Sequence, residues 1–297
     1  MAEKDITEKA LEGYNDVFAD IVNALLFQGE NVILDEELED RLPRAHYKAD
    51  GRLREMERDV LKQWKKGTLR LSLLGFENQS FPDPDMTLRV VGYDGAEYRA
   101  QLNEEKTGDR FPVITLVLYF GYKKRWNRAT SLLERLSIPE KLKPYVSDYK
   151  INVFEIAYLT QEQVNLFQSD FRVVADYFVQ KREKRDYVPS TQELKHVQET
   201  LQLLSVMTGD HRFEDAYNEK NAERGPRNMC DVLDRIENRG IQIGIQTGIQ
   251  TGIQTGKAQV MKNMYQKGFS VEQIAEIVEK TVDEVRDVVA KEKPLLS

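Results

Sequence analysis

Cysteine, histidine and long apolar runs are all scarce in this chain. A single cysteine, Cys230, among 297 residues excludes an internal disulfide framework and fits a reducing compartment, so a cytoplasmic location is expected. Three scattered histidines, His46, His196 and His211, with that one thiol argue against a structural zinc site. The longest mainly apolar run, Pro112 to Phe120, suits a buried strand and is far too short to cross a bilayer, so no membrane partner is expected. The first residues, MAEKDITEKALEGYND, are charged and lack the apolar core of a secretory signal. Positive charge is not in excess either. A formal net charge of −7 argues against holding nucleic acid by bulk attraction, so any such contact must be local. What is present, 40% hydrophobic and 31% charged residues, is the composition of a soluble globular protein with one large domain or a main domain and an appendage.

The most informative stretch is Glu57 to Ser80, ERDVLKQWKKGTLRLSLLGFENQS. Two strand-like runs flank Lys65-Lys66-Gly67, which predicts a β-hairpin. Leu69, Leu71 and Leu73 alternate with Arg70 and Ser72 at the period of a pleated strand. Residues two apart share a face, so Glu77 and Gln79 present two oxygen-bearing side chains together, and an antiparallel partner brings Asp59 toward them. Asp59 and Glu77 are not equidistant from the turn, so aligning them takes a bulge or a longer loop. Two carboxylates about 4 Å apart repel by roughly 4 kcal/mol at an effective dielectric near 20, which a shared proton or a cation relieves. A hard divalent ion such as Mg²⁺ takes oxygen ligands, polarises a phosphoryl oxygen and eases deprotonation of a bound water. Metal-assisted cleavage of a phosphodiester is one reading of this pattern. Two acids on a solvated hairpin is the other.

The order of these pieces carries a resemblance. The string ERD, a strand, a turn, GFENQS and then DPDMTLRVVGYDGAEYR resembles the PD-(D/E)XK nuclease core of the recombination-promoting nuclease (Rpn) and transposase family, over roughly residues 5 to 240. Asp59, Glu77 and Gln79 match the family's Asp and E-x-Q. Met86, Arg89 and Tyr93 match its following helix, with Thr87 where Pro is often found. The resemblance implies an α/β fold with a restriction-endonuclease-like mixed sheet flanked by helices. It also implies DNA as substrate, Mg²⁺ or Mn²⁺ as cofactor, and a link to recombination or mobile elements. Asp59, Glu77 and Gln79 become the catalytic set, with Asp59 and Glu77 as metal ligands and the first helix adding an acid, Asp16 or Asp20. Two departures stand out. No Pro precedes Asp59, and Gln79 replaces the Lys of the wider superfamily, so the positive charge that Lys offers to water or phosphate is missing.

Around that core, Leu11, Val17, Phe18, Ile21, Leu25 and Leu26 recur at helical spacing and predict a helix over Asp5 to Gln28. Asp16 and Asp20 share one of its faces, and a solvated face is the plain alternative to a metal role. Asn31 to Ile33 reads as a short strand and Asp35 to Asp40 as a surface helix or loop, while the segment around His46 carries no clear signal. Pro82-Asp83-Pro84 breaks the hairpin strand, and Asp83 or Asp85 is placed to cap a helix on which Arg89 and Tyr93 share a face. Arg89 there either grips phosphate bidentately or pairs internally; Tyr93 orients substrate or packs. Phe111 to Phe120 and Ile151 to Tyr158 read as strands. Lys123-Lys124-Arg125-Trp126-Asn127-Arg128 sets an aromatic among cations. Lys124 and Arg125 are candidates to contact substrate, or are loop residues around a packed Trp. Lys181 to Arg185 reads as charge at a helix end.

The later chain reads as helical. Thr160 to Gln163 predicts a capping box ahead of an apolar stripe, Val164, Phe167, Phe171, Val174 and Phe178. Ser190 to Glu193 predicts another, ahead of Val197, Leu201 and Leu204, with Gly209 as the stop. Residues 221–227 read as a surface loop and 228–238 as a helix. Gly240 to Gly256, GIQIGIQTGIQTGIQTG, repeats every four residues and marks the end of a main domain at 1–239. It is either a helix whose Ile row, drifting about 40° per repeat, is covered by a neighbouring chain, or a replication-slippage linker. Residues 257–297 read as a small helix-turn-helix-like module. Asp283, Glu284 and Asp287 against Arg286 favour protein docking or dimerisation there over DNA readout. The expected whole is a Mg²⁺-dependent DNA endonuclease that forms a homo-oligomer through its tail. The alternative class is a catalytically feeble scaffold for nucleic acid or protein.

Overall fold

The computed structural model describes residues 11–41, 44–49, 52–57, 60–64, 69–75, 82–103, 110–183, 186–218 and 225–290, and only the backbone of those in 44–57 and 69–75. Two compact units divide it, Met1–Leu233 and Asp234–Ser297.

In the first unit, helix α1 (Asn15–Leu26) buries Val17, Phe18, Ile21 and Val22, as its periodicity predicts, but the helix expected over Asp5 to Gln28 is interrupted at Gly13 and Tyr14. Asn31 to Ile33 is not a strand. Buried Asn23 accepts the backbone N–H groups of Val32 and Ile33 and donates to the Ile33 carbonyl at 2.8 Å, which holds this segment against α1 instead of in a sheet. The acidic stretch that follows is a 3₁₀ turn (Asp35–Glu37) leading into strand β1 (Leu38–Asp40). Strands β2 (Arg44–Ala49) and β3 (Arg52–Glu57) pair antiparallel as a hairpin in the segment around His46, which carries no clear strand pattern in sequence. Asp50-Gly51, between the paired positions Ala49 and Arg52, is the turn signal that would have found it.

The central hairpin is present. Strands β4 (Val60–Trp64) and β5 (Leu69–Gly75) pair antiparallel from Val60↔Leu73 to Trp64↔Leu69. Helix α2 (Met86–Asn103) then leads to β6 (Val113–Tyr119), parallel to β5, and β7 (Asn152–Glu155) lies parallel to β6. The strand predicted to Tyr158 ends earlier, in a 3₁₀ turn at Ile156–Tyr158. The result is a mixed five-stranded sheet in the order β1-β4-β5-β6-β7, in a fold of the α/β class.

Both faces of β6 are covered. Val117 packs with Met86, Val90 and Tyr93 of α2, and Asp94, buried in the same helix, accepts hydrogen bonds from Thr115 and Tyr149. Leu116 and Leu118 point the other way and are fully buried. Just beyond the strand, Phe120 meets Phe171 and Phe178 of helix α5 (Phe171–Glu183) with ring centroids 6.1 and 5.3 Å apart. Between β6 and α5 lie the short helices α3 (Leu132–Arg135) and α4 (Gln161–Val164). The capping box of Thr160 and Gln163 forms, yet the helix it opens stops at Val164 and α5 starts afresh at Phe171. The predicted stripe is buried all the same.

The second predicted box does not form. Ser190 Oγ accepts the N–H of Gln192 in a turn, and helix α6 (Val197–Thr208) begins later. Its entry is set from a distance, by the Asp170 carboxylate taking the N–H groups of Lys195 and His196. Gly209 ends α6 at φ 71°, and α7 (Arg212–Tyr217) follows. Helix α8 (Met229–Gln266) carries the whole four-residue repeat in helical form. In the second unit it is followed by α9 (Val271–Ile277), capped by Ser270 and Gln273, and α10 (Val282–Ala290). Met261, Ile274, Ala275, Val285 and Val289 form the small core there.

Candidate functional site

The register of the sheet gathers several strand ends in one place. Pairs Gly75↔Leu118 and Leu118↔Phe154 set the carboxyl ends of β5, β6 and β7 side by side, and Val60↔Leu73 brings the start of β4 to the same end. Crevices outside the carboxyl ends of parallel strands are where open α/β sheets bind ligands. The catalytic candidates follow directly along the chain. Asp59 precedes Val60 by one residue, and Glu77 and Gln79 come two and four residues after Gly75. All three lie outside the described residues. Among the described residues no three His, Cys, Asp or Glu side chains form a metal-sized cluster.

The substrate candidates stand at that same end. Arg89, in the first turn of α2, donates to Asp83 at 2.9 Å and to the Tyr93 hydroxyl at 3.4 and 3.2 Å. Burial disfavours its charge, but Asp83 and Tyr93 outweigh that and raise its pKa. Arg89 therefore pairs internally here. Tyr93 is 6% exposed and packs in the core while its hydroxyl steadies the guanidinium. Asp83 also accepts the N–H of Asp85 at 2.8 Å, shaping the turn before α2, and Asp85 pairs with Arg135. Thr87 donates to the Ala129 carbonyl and Arg128 to that of Pro82, which ties the start of α2 to the loop after β6.

That loop holds the predicted basic string. Tyr119 folds back to donate its hydroxyl to the Lys124 carbonyl at 2.9 Å, and a Cβ at Gly121 would overlap the Tyr119 ring, so glycine is required there. Arg125 pairs with Glu155 at 3.0 Å and lies over the Tyr158 ring. Trp126 meets Tyr119 edge-on at 5.4 Å, donates its indole N–H to the Arg128 carbonyl and its backbone N–H to Glu155. It is a packed tryptophan, not an open stacking platform.

Asp16 and Asp20 face elsewhere. Asp16 accepts from Lys195 at 2.7 Å and from His196 Nε2 at 3.1 Å, and Tyr14 stacks on His196 at 3.7 Å. Burial works against the Asp16 charge, but the hydrogen bonds of Lys195 and His196 prevail and lower its pKa. Asp20 accepts the N–H groups of Gln168 and Ser169, both at 2.8 Å, and the Ser169 hydroxyl at 2.5 Å, with burial raising its pKa. Both acids line a cleft of about 370 Å³ and dock α1 onto the chain around α5 and α6.

A family model described as "Putative transposase, YhgA-like" matches residues 38–206. The chain belongs to this family. The match begins at the first residue of β1, takes in all five strands of the sheet and ends inside α6, so the resemblance to the Rpn and transposase family is borne out. No curated protein and no solved structure gives a significant match.

In this YhgA-like chain two buried charges escaped the sequence reading. Glu12, four residues before Asp16, is fully buried, which is rare for a carboxylate. Lys62 on β4 is also fully buried; its ammonium donates to Asn15 at 2.6 Å, pairs with Asp40 and lies 5.7 Å from the Phe18 ring centre. The strand alternation around Lys62 was the available signal, since Val60, Lys62 and Trp64 share a face.

Proposed function

We propose that this protein is a metal-dependent DNA endonuclease of the kind its transposase-like family suggests, hydrolysing phosphodiester bonds in a recombination or mobile-element setting. One observation carries the reading: the start of β4 and the carboxyl ends of β5, β6 and β7 converge, and the chain beside those ends bears Asp59, Glu77 and Gln79. Two carboxylates and an amide make an oxygen donor set suited to Mg²⁺ or Mn²⁺. Asp59 and Glu77 would hold the ion, which when bound polarises the scissile phosphoryl group. Gln79 would orient water or phosphate through its amide. Arg89 would exchange Asp83 for a phosphate oxygen while Tyr93 keeps the guanidinium aligned, and Lys124 and Arg125 would touch the backbone nearby. Asp16 can join the metal only by releasing Lys195 and His196. Val60 shares a face with Leu73, so an unbroken ladder would set Asp59 on the face opposite Glu77 and Gln79. A break in the ladder past Gly75 is therefore part of this reading, as the unequal spacing from the turn requires.

Nicking of supercoiled plasmid in Mg²⁺ or Mn²⁺ tests it. Asp59→Ala and Glu77→Ala should each lower the rate by roughly 100-fold or more. Equal rates in all three proteins would remove the site. Gln79, where the superfamily has Lys, favours a second reading, a catalytically weak DNA-binding scaffold. Binding without cleavage under any metal would select it.

For the tail we propose a homo-oligomer built on α8. Ile245, Ile249 and Ile253 are 55–60% exposed and line a groove of about 640 Å³, and the repeat glycines meet nothing within 4 Å of an added Cβ. Each such glycine costs a helix about 1 kcal/mol relative to Ala, which close approach of a second copy would offset. A four-residue period exceeds 3.6, so the pair would cross right-handedly. The helix-turn-helix-like end, with Asp283 and Asp287 on α10, would dock protein and not DNA. Deleting Gly240 to Ser297 should reduce the mass seen by light scattering to that of a monomer; an unchanged number of subunits would end this proposal.

A further inference from the structure

The loop after β6 and the end of α5 are nearly 60 residues apart in the chain, yet their cations converge. Tyr122 is flanked by two ammonium groups, with Lys123 Nζ at 5.8 Å and Lys181 Nζ at 5.3 Å from its ring centre. Tyr158 is flanked in the same way by two guanidinium groups, Arg125 at 4.5 Å and Arg182 at 5.2 Å. Lys181 and Arg182 are consecutive, so the two clusters are neighbours, at the carboxyl ends of β6 and β7. Glu155 and Glu183 pair with the arginines. The lysines are less balanced. Burial lowers the Lys181 pKa and repulsion from Lys123 and Arg212 adds to this, against attraction from an Asp210 that Arg212 already grips through two hydrogen bonds.

We infer that this surface is a cradle for the phosphodiester backbone of DNA, gripping phosphates without reading bases. Cations already lie over both tyrosine rings and Trp126 is packed, so the surface presents charge and not an aromatic platform. What the surface offers is ordered positive charge on rigid aromatic supports, in a chain whose net charge is −7. An arriving phosphate relieves the repulsion between Lys123 and Lys181. The cradle deepens the proposed DNA reading and rests on it for the identity of the polyanion.

The test is fluorescence anisotropy of the full chain, in EDTA, with a labelled 20-base-pair duplex and the corresponding single strand, each in two unrelated sequences. Lys123→Gln and Lys181→Gln should each raise Kd about fivefold, the effect of one charge pair near 4 Å in water. Each should also flatten the slope of log K against log salt by about 1. Both sequences should respond equally, and the arm with tighter wild-type binding names the preferred strandedness. Lys123→Arg, which keeps the charge, should bind like wild type and guards against a folding artefact. Unchanged Kd and salt slope in both Gln variants would overturn the cradle, as would a wild type that binds neither probe. Plasmid nicking is scored separately: lost binding in a protein that never cleaves leaves the cradle standing and removes the nuclease, while cleavage with unaltered binding does the reverse.

Discussion

Two regions of the first unit bring distant charges together, and they do so in opposite ways. In the cleft beside α1, three carboxylates meet donors built to receive them: Asp16 has Lys195 and His196, Asp20 has two backbone N–H groups and a hydroxyl, and Asp170 has the N–H groups of Lys195 and His196. At the carboxyl ends of β6 and β7, Arg125 and Arg182 have glutamate partners, but Lys123 and Lys181 crowd onto the Tyr122 ring instead. A matched cluster stabilises the fold and asks for no ligand. A crowded one raises the energy of the empty surface and falls when an anion arrives. Asp16 and Asp20, the first-helix acids that the family resemblance offered to the metal, belong to the first kind.

The contrast can be broken most forcefully at Asp20. Asp20→Ala removes the acceptor for two N–H groups and a hydroxyl that join α1 to the approach to α5. About 2–3 kcal/mol of stability should be lost, read from the midpoint of urea unfolding. A loss under about 0.5 kcal/mol would mean the cleft is not structural.

Asp16 sharpens the comparison through pH. Its folded pKa is depressed below the ordinary 3.8, so its contribution is fully present above that value and lost as pH falls through the lower folded value. Asp16→Asn should therefore cost about 1 kcal/mol at neutral pH, a modest figure because the carboxylate is partly exposed. Wild type and variant should converge below pH 3.8. Parallel stability curves across that range would detach Asp16 from its partners. The smallest expected effect is on DNA. Both aspartate changes should leave affinity within about twofold, well short of the lysine variants; a larger loss would reverse the roles given to the two regions.

The parts of this fold legible in sequence were those with local causes. Leu69, Leu71 and Leu73 announce β5 by alternation, the apolar run before Phe120 announces β6, and Thr160 with Gln163 announces a cap. The failures share a different cause. Asn23 holds residues 32 and 33 from nine and ten positions away, and Asp170 sets the start of α6 from 25 or more, so neither the missing strand nor the late helix start is visible in a short window. The hairpin of β2 and β3 is hard to read for a simpler reason: RAHYKA and RLREME lack clean alternation, which leaves Asp50-Gly51 as the local signal. For the site, the sequence offered the basic string and Lys181 as separate features, a loop and a helix end. Only the shared rings Tyr122 and Tyr158 make them one surface.

Binding of Mn²⁺, followed by electron paramagnetic resonance in the absence of DNA, tests the strand-end site most directly, because it reads the metal without requiring turnover. Wild type should take up the ion, Asp59→Ala and Glu77→Ala should each weaken uptake by about tenfold or more, and Lys123→Gln should leave it unchanged. Equal uptake by wild type and both carboxylate variants would contradict a metal held where the four strand ends meet.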